Sequence, residues 1–209
     1  MTAAGTFNAL KGIDMTIGSG EFVSVIGKSG SGKTTLMNMI AGVDRPTSGE
    51  ILVGGMAVHA MNENRISKWR GTNVGIVFQF FQLLPTLSVI ENIMLPMDLC
   101  NTFPLSERKS RAFGLLKLVG VEDQADKLPS ALSGGQQQRA AIARAMANDP
   151  AVILADEPTG NLDTATANDI FGLFMELVRA GKTLIIVTHD QDIASRCSRT
   201  IRLADGLIA

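Results

Sequence analysis

Residues Gly27-Lys28-Ser29-Gly30-Ser31-Gly32-Lys33-Thr34 follow the spacing GxxxxGK and then Ser or Thr, between an apolar run and a helical pattern. Glycines so spaced let backbone N–H groups turn inward around phosphate oxygens. Lys33 adds a full positive charge, and the helix opening there adds its positive dipole end. Thr34 offers a hydroxyl to Mg²⁺. Asp156 and Glu157 form an acidic pair ahead of Pro158. Alone, such a pair reads as a solvated strand end. Beside a phosphate cradle, the first carboxylate can hold the shell of a magnesium ion and the second can orient a water against a terminal phosphate. His189, alone a loop or core histidine, gains weight from standing just past an apolar run.

A second anion-binding pattern lies at Leu132-Ser133-Gly134-Gly135-Gln136. Ser133 and Gln136 have the spacing of a capping box, which by itself describes a well-capped helix. Exposed glycines at a helix start also bind anions. Since the chain already carries one phosphate cradle, a second such surface suggests a second subunit.

Four short apolar runs are read as the strands that must position these groups: Phe22 to Ile26, Val74 to Phe78, Val152 to Ala155 and Leu184 to Val187. Their near-continuous apolar character fits a sheet covered on both faces, an α/β fold. The glycine-rich stretch, Gln79, Asp156 with Glu157, and His189 each follow one run, where open α/β sheets bind ligands. Helices are expected at Lys33 to Ala41, Ser106 to Val119, Gln136 to Ala147 and Thr166 to Ala180, with Gly42 and Gly181 as stops. The interval from Gln79 to Ser133 carries few strand signals and reads as a mostly helical insertion.

Composition narrows the function classes. In 209 residues, 45% hydrophobic and 19% charged, there is enough apolar side chain for a core, which rules out wholesale disorder. A net charge of -1 gives no electrostatic footprint for nucleic acid or for an anionic membrane. Two lone cysteines, Cys100 and Cys197, read as reduced thiols of a cytosolic chain. No run of about 18 apolar residues is present, so any membrane role comes from a partner.

With LSGGQ at 132–136, the phosphate loop at 27–34, Gln79, the strand ending in Asp156-Glu157, Asn161-Leu162-Asp163 and His189 in order, the chain resembles the nucleotide-binding subunit of an ABC transporter over nearly its whole length. Leu154 to Asp163, with Asn92 and Pro96, is similar to ATPases of the lipoprotein-releasing and macrolide-exporter type. The resemblance implies one domain over 1–209. A P-loop NTPase (RecA-like) core with a parallel-rich sheet would span 1–79 and 146–209, and a helical signature subdomain 80–145. It implies two copies packed head to tail, each ATP lying between Gly27, Lys28, Ser29, Gly30, Ser31, Gly32, Lys33, Thr34 and Thr35 of one and Ser133, Gly134, Gly135 and Gln136 of the other. Lys33 would meet the outer phosphates, Thr34 and Gln79 the Mg²⁺ ion, Asp156 the metal through water, Glu157 the attacking water, and His189 the γ-phosphate. Asp163 would pass information across the interface. The partner implied is an integral membrane permease at the cytoplasmic face of the membrane, seated near the Gln79 loop, where Leu83, Leu84, Pro85 and Leu87 form a seat or simply core. Division-type relatives signal through a membrane partner without moving a substrate, the alternative role.

One departure stands out. Family members usually begin with a further strand and an adenine-stacking aromatic, often tyrosine, whereas this sequence has no tyrosine. Phe7 is the nearby aromatic, closer to the phosphate loop than the family's stacking residue. Since stacking of a base on an aromatic is worth about 1–3 kcal/mol in nucleic-acid binders, either nucleotide affinity is low or the native start lies upstream. An unpaired sheet edge near the amino terminus is also expected.

Overall fold

The computed structural model describes residues 8–209, so Phe7 lies outside the described residues. In chain order the elements are β1 (Phe22–Ile26), α1 (Lys33–Ile40), β2 (Leu52–Val53), β3 (Met56–Ala57), α2 (Glu63–Asn73), β4 (Val74–Val77), α3 (Val89–Cys100) and α4 (Leu105–Leu118). They continue with α5 (Gly134–Ala145), β5 (Val152–Asp156), α6 (Thr164–Arg179), β6 (Thr183–Thr188), α7 (Gln191–Ser195), β7 (Arg199–Ala204) and β8 (Leu207–Ile208). A six-stranded sheet runs β4-β5-β6-β1-β7-β8, its first five strands parallel and β8 antiparallel to β7, while β2 and β3 form a separate hairpin.

Alternation along the strands builds two cores, one on each face. Val23, Val25, Leu154, Ile185 and Val187 face α1 and α2 with Leu36, Met37, Ile66 and Trp69. Phe22, Ile153, Ala155, Leu184 and Ile186 face the other way, into a cluster with Ile93, Leu116, Ile142 and Phe174 that spans α3 to α6. Phe22 stacks on Phe171 at 5.3 Å between ring centroids, a pairing worth about 0.5–1.5 kcal/mol beyond its area. Each face therefore needs its own helical layer, which is why β1, β4, β5 and β6 read as nearly unbroken apolar runs.

The predicted helix stops hold: Gly42 and Gly181 follow α1 and α6 at φ 65° and 90°, the left-handed conformation that ends helices at glycine. Helix α5 begins at Gly134, two residues before the expected start, because Ser133 caps it. Elsewhere the sequence was less legible. Strand β7 alternates exposed Arg199, Thr200 and Arg202 with buried Ile201 and Leu203, so it shows no apolar run. Helix α2 buries only Ile66 and Trp69. The edges of the sheet are β4 and β8; Leu207 and Ile208 of β8 are exposed, and the Lys11 N–H donates to the Gly206 carbonyl at 2.8 Å.

Candidate functional site

Strand β1 delivers the phosphate loop into helix α1. A Cβ on Gly27 would stand 2.2 Å from the Leu203 carbonyl oxygen of β7 and 2.6 Å from Ser31 Oγ, so close packing demands glycine there. Gly32 sits at φ 101° as the N-cap of α1 with no side-chain cap, a conformation open to glycine. Ser31 is buried; its N–H donates to the Lys28 carbonyl and its own carbonyl accepts from Gly206 N at 3.1 Å. The turn after β7 thus braces the loop from behind. Lys33 Nζ donates to the carbonyls of Gly27 at 2.8 Å and Lys28 at 3.1 Å, folding the ammonium over its own loop. Thr34 is exposed and Thr35 half-buried on the first turn of α1.

Strands β5 and β6 supply the acidic pair and the histidine. Asp156 is the last residue of β5, paired in register with Val187. Glu157 follows at φ 45°, in the sparsely populated left-handed region that recurs at functional sites. Its Oε1 lies 2.8 Å from His189 Nδ1 and its Oε2 accepts from Thr188 Oγ1 at 3.4 Å. His189 Nε2 has no hydrogen-bond partner among the described residues. Desolvation first, and then the negative charge of Glu157, push the Asp156 carboxyl above its ordinary value, opposed by Lys33. Lys33 and the acidic pair therefore share one electrostatic site, which can take anionic oxygens at Lys33 and a cation at Asp156.

Gln79 lies two residues past the end of β4. Its carbonyl accepts from Asn161 Nδ2 at 3.1 Å, and a Cβ on Gly160 would meet its Nε2 at 2.9 Å. The loop after Glu157 and the loop after β4 are therefore packed together. Phe81 and Gln82, just beyond, occupy φ 59° and 55° and offer both carbonyls to Arg144 of α5.

Ser133 and Gln136 form the predicted capping box: Gln136 N donates to Ser133 Oγ at 3.3 Å and Ser133 N to Gln136 Oε1 at 2.9 Å. The heavy atoms that a Cβ on Gly134 would approach belong to Leu162 and Phe81, and on Gly135 to Thr166. None belongs to the phosphate loop. Asp163 caps α6, accepting from Thr166 N at 3.0 Å and Thr166 Oγ1 at 2.6 Å, bonds that hold its carboxyl below the ordinary value.

Sequence reading missed Arg144, Asn161's amide, Thr166 and Gln138, whose buried Nε2 donates to the Pro158 carbonyl at 2.6 Å. All four act on backbone or on neighbours distant in sequence, and only the unusual run of glutamines at 136–138 hinted at any of them. It also missed a groove of about 820 Å³ between α2, α3, β4 and α5, lined by Lys68, Arg70, Phe78, Leu95, Leu99 and Arg144 among others. Leu83 is not in its lining and instead packs against the core.

A parallel sheet carrying a glycine-wrapped lysine at one strand end and paired carboxylates at another defines a P-loop NTPase of α/β fold. Residues 10–160 match the family model described as ABC transporter. The chain is 45% identical to the lipoprotein-releasing system ATP-binding protein LolD of Bacteroides thetaiotaomicron, over 98% of this chain and 94% of that protein. It is also 45% identical to the macrolide export ATP-binding/permease protein MacB of Hyphomonas neptunium, over 96% of this chain and 31% of that longer protein. The dimeric, post-hydrolysis structure of the ATP-binding cassette MJ0796 bound to ADP and Pi superposes with a TM-score of 0.91 at 41% identity, covering 100% of this chain and 91% of that one. The chain belongs to the ABC transporter family.

Proposed function

We propose that this chain binds ATP between Gly27–Thr35 of one copy and Ser133–Gln136 of a second, head-to-tail copy. It is the ATP-hydrolysing subunit of an ABC transporter. The observation that carries the shared site is the separation of two sets of groups: Lys33, Asp156, Glu157 and His189 gather at the ends of parallel strands, while the Ser133 turn packs beside Leu162 and Phe81. Residues 80–145 act as the signature subdomain and the rest as the nucleotide-holding core.

The donors fit Mg²⁺. Thr34, Gln79 and Asp156 offer hydroxyl, amide and carboxylate oxygens, the hard donors this ion prefers. Among the described residues no cluster of three or more His, Cys, Asp or Glu can hold a metal alone. That suits an ion held by one carboxylate and substrate phosphates. The disfavoured charge on Asp156 would be relieved by a cation. When bound, the ion would neutralise charge on the β- and γ-phosphate oxygens.

The chain's own groups do the rest. Lys33 exchanges its two carbonyl partners for phosphate oxygens, and Glu157 orients the attacking water. His189 holds Glu157 through Nδ1 and presents Nε2 to the γ-phosphate. Because ATP touches both copies only when they are closed, binding favours the closed pair and loss of the γ-phosphate removes that bias.

The partner is an integral membrane permease of the lipoprotein-releasing or macrolide-export kind, and the chain is peripheral to the cytoplasmic face through it. No helix among the described residues is long and apolar enough to cross a membrane. The basic and apolar lining of the α2–α5 groove, which includes no Asp or Glu, suits an amphipathic permease segment. Sedimentation of the Glu157→Gln variant tests the shared site. Dimers that require both ATP and Mg²⁺ are expected, whereas monomers at saturating ATP would sink it.

A further inference from the structure

The turn that follows Gln79 is held in an unfavourable conformation by one side chain from a distant element. Phe81 and Gln82 both sit in the left-handed region, which residues other than glycine keep only when their surroundings hold them there. Both carbonyls accept from the guanidinium of Arg144: Nη2 reaches Phe81 O at 2.9 Å, and Nη1 reaches Gln82 O. A planar fork meeting two convergent carbonyls is a geometry that arginine satisfies and lysine does not.

Apart from these two bonds, among the described residues Arg144 only contributes to the lining of the α2–α5 groove. It takes part in none of the ion pairs among the described residues, and it donates to no residue of the phosphate loop or the acidic pair. Burial lowers its pKa, yet an arginine stays charged in a protein, so the two carbonyl dipoles are what compensates the desolvated cation.

Its position gives the contact a consequence. Arg144 stands in the last turn of α5, the helix that starts at the Ser133 cap. The same helix end presses on β4, where a Cβ on Gly75 would lie 2.4 Å from the Ala145 carbonyl oxygen. Gln79 is thus flanked by two attachments to α5, through β4 before it and through Arg144 after it. On its other side Asn161 holds its carbonyl.

We infer that Arg144 is a positioning residue for Gln79: its guanidinium latches the left-handed Phe81–Gln82 turn to α5 and so fixes where the Gln79 side chain stands relative to Asp156 and the phosphate loop. The inference rests on the reading above that places Gln79 at the metal.

The test uses the full chain with Arg144→Ala, Arg144→Lys, Gln79→Ala and the double variant. In the nucleotide-free protein, amide exchange over residues 79–84 rises by about tenfold or more in Arg144→Ala while the β1 and β5 amides keep their protection. Arg144→Lys falls between, since one ammonium replaces a two-pronged fork; this variant carries the test if Arg144→Ala fails to fold. Arg144→Ala lowers kcat by about ten- to a hundredfold with KM for ATP within about twofold, and it lowers kcat no further in a Gln79→Ala background. Unchanged exchange over 79–84, or an equal loss of kcat with and without Gln79, overturns the inference and leaves the role of Gln79 standing. A Gln79→Ala variant with normal kcat overturns both.

Discussion

Gly135 and Thr166 are in contact so close that a Cβ on the glycine would stand 2.6 Å from the threonine Cγ2. The hydroxyl of the same threonine donates to Asp163 Oδ2 at 2.6 Å. The start of α5 and the loop carrying Asp163 are therefore fitted together through one side chain, and this glycine has a packing reason to lack a side chain besides any approach of phosphate. Gly135→Ala should destabilise the monomer by about 1–3 kcal/mol, the usual cost of overpacking, or a Tm lower by roughly 2–12 °C for a chain of this size. Thr166→Ser removes the obstructing methyl and keeps the hydroxyl, so the double variant should recover most of the loss. Thermal denaturation of the three variants checks this.

Ser133→Ala removes the capping hydroxyl and should cost about 1 kcal/mol of stability, leaving a folded monomer. Its larger effect is expected in dimer formation with ATP, measured by sedimentation in a Glu157→Gln background. If the dimer constant moves no more than the monomer's stability does, the Ser133 turn does not face a second copy's nucleotide.

Glu157 is aimed by Thr188 and His189, as a group that orients a water must be. Glu157→Gln should retain ATP binding while turnover falls by about 10² to 10⁴. His189→Ala should lower turnover as well, since it frees the Glu157 side chain and removes the Nε2 contact. Equilibrium binding and steady-state hydrolysis measured together decide the matter; near-normal turnover in Glu157→Gln removes that residue from its role.

Asp156 has a carboxyl raised by desolvation and by Glu157. A carboxyl raised in the folded state binds more protons there than in the unfolded chain, so stability falls as pH rises from the unfolded value through the folded one. At neutral pH the ionised group is a standing cost in the nucleotide-free protein. Asp156→Asn should therefore raise Tm in the nucleotide-free protein, flatten the stability profile across the acidic range, and abolish hydrolysis. A lower Tm at neutral pH, with hydrolysis lost, would make Asp156 structural rather than strained.

The sequence alone determined the sheet's interior and the motifs on it. Strands β1, β4, β5 and β6 lie between two helical layers, so their residues are apolar nearly without a break, and that local signal needs no partner to be read. The phosphate loop is similarly local, because its glycines and lysine act within eight consecutive residues. The tertiary structure alone decided how the loops between these strands are braced. Phe81 and Gln82 show no turn signature in the sequence, since their left-handed backbone is imposed by Arg144, 63 and 62 residues away. Gly27 and Gly135 are glycines for reasons written in Leu203 and Thr166. Close approaches between segments far apart in the chain cost and gain free energy only once the fold has brought them together, so no window of sequence, however long, displays them.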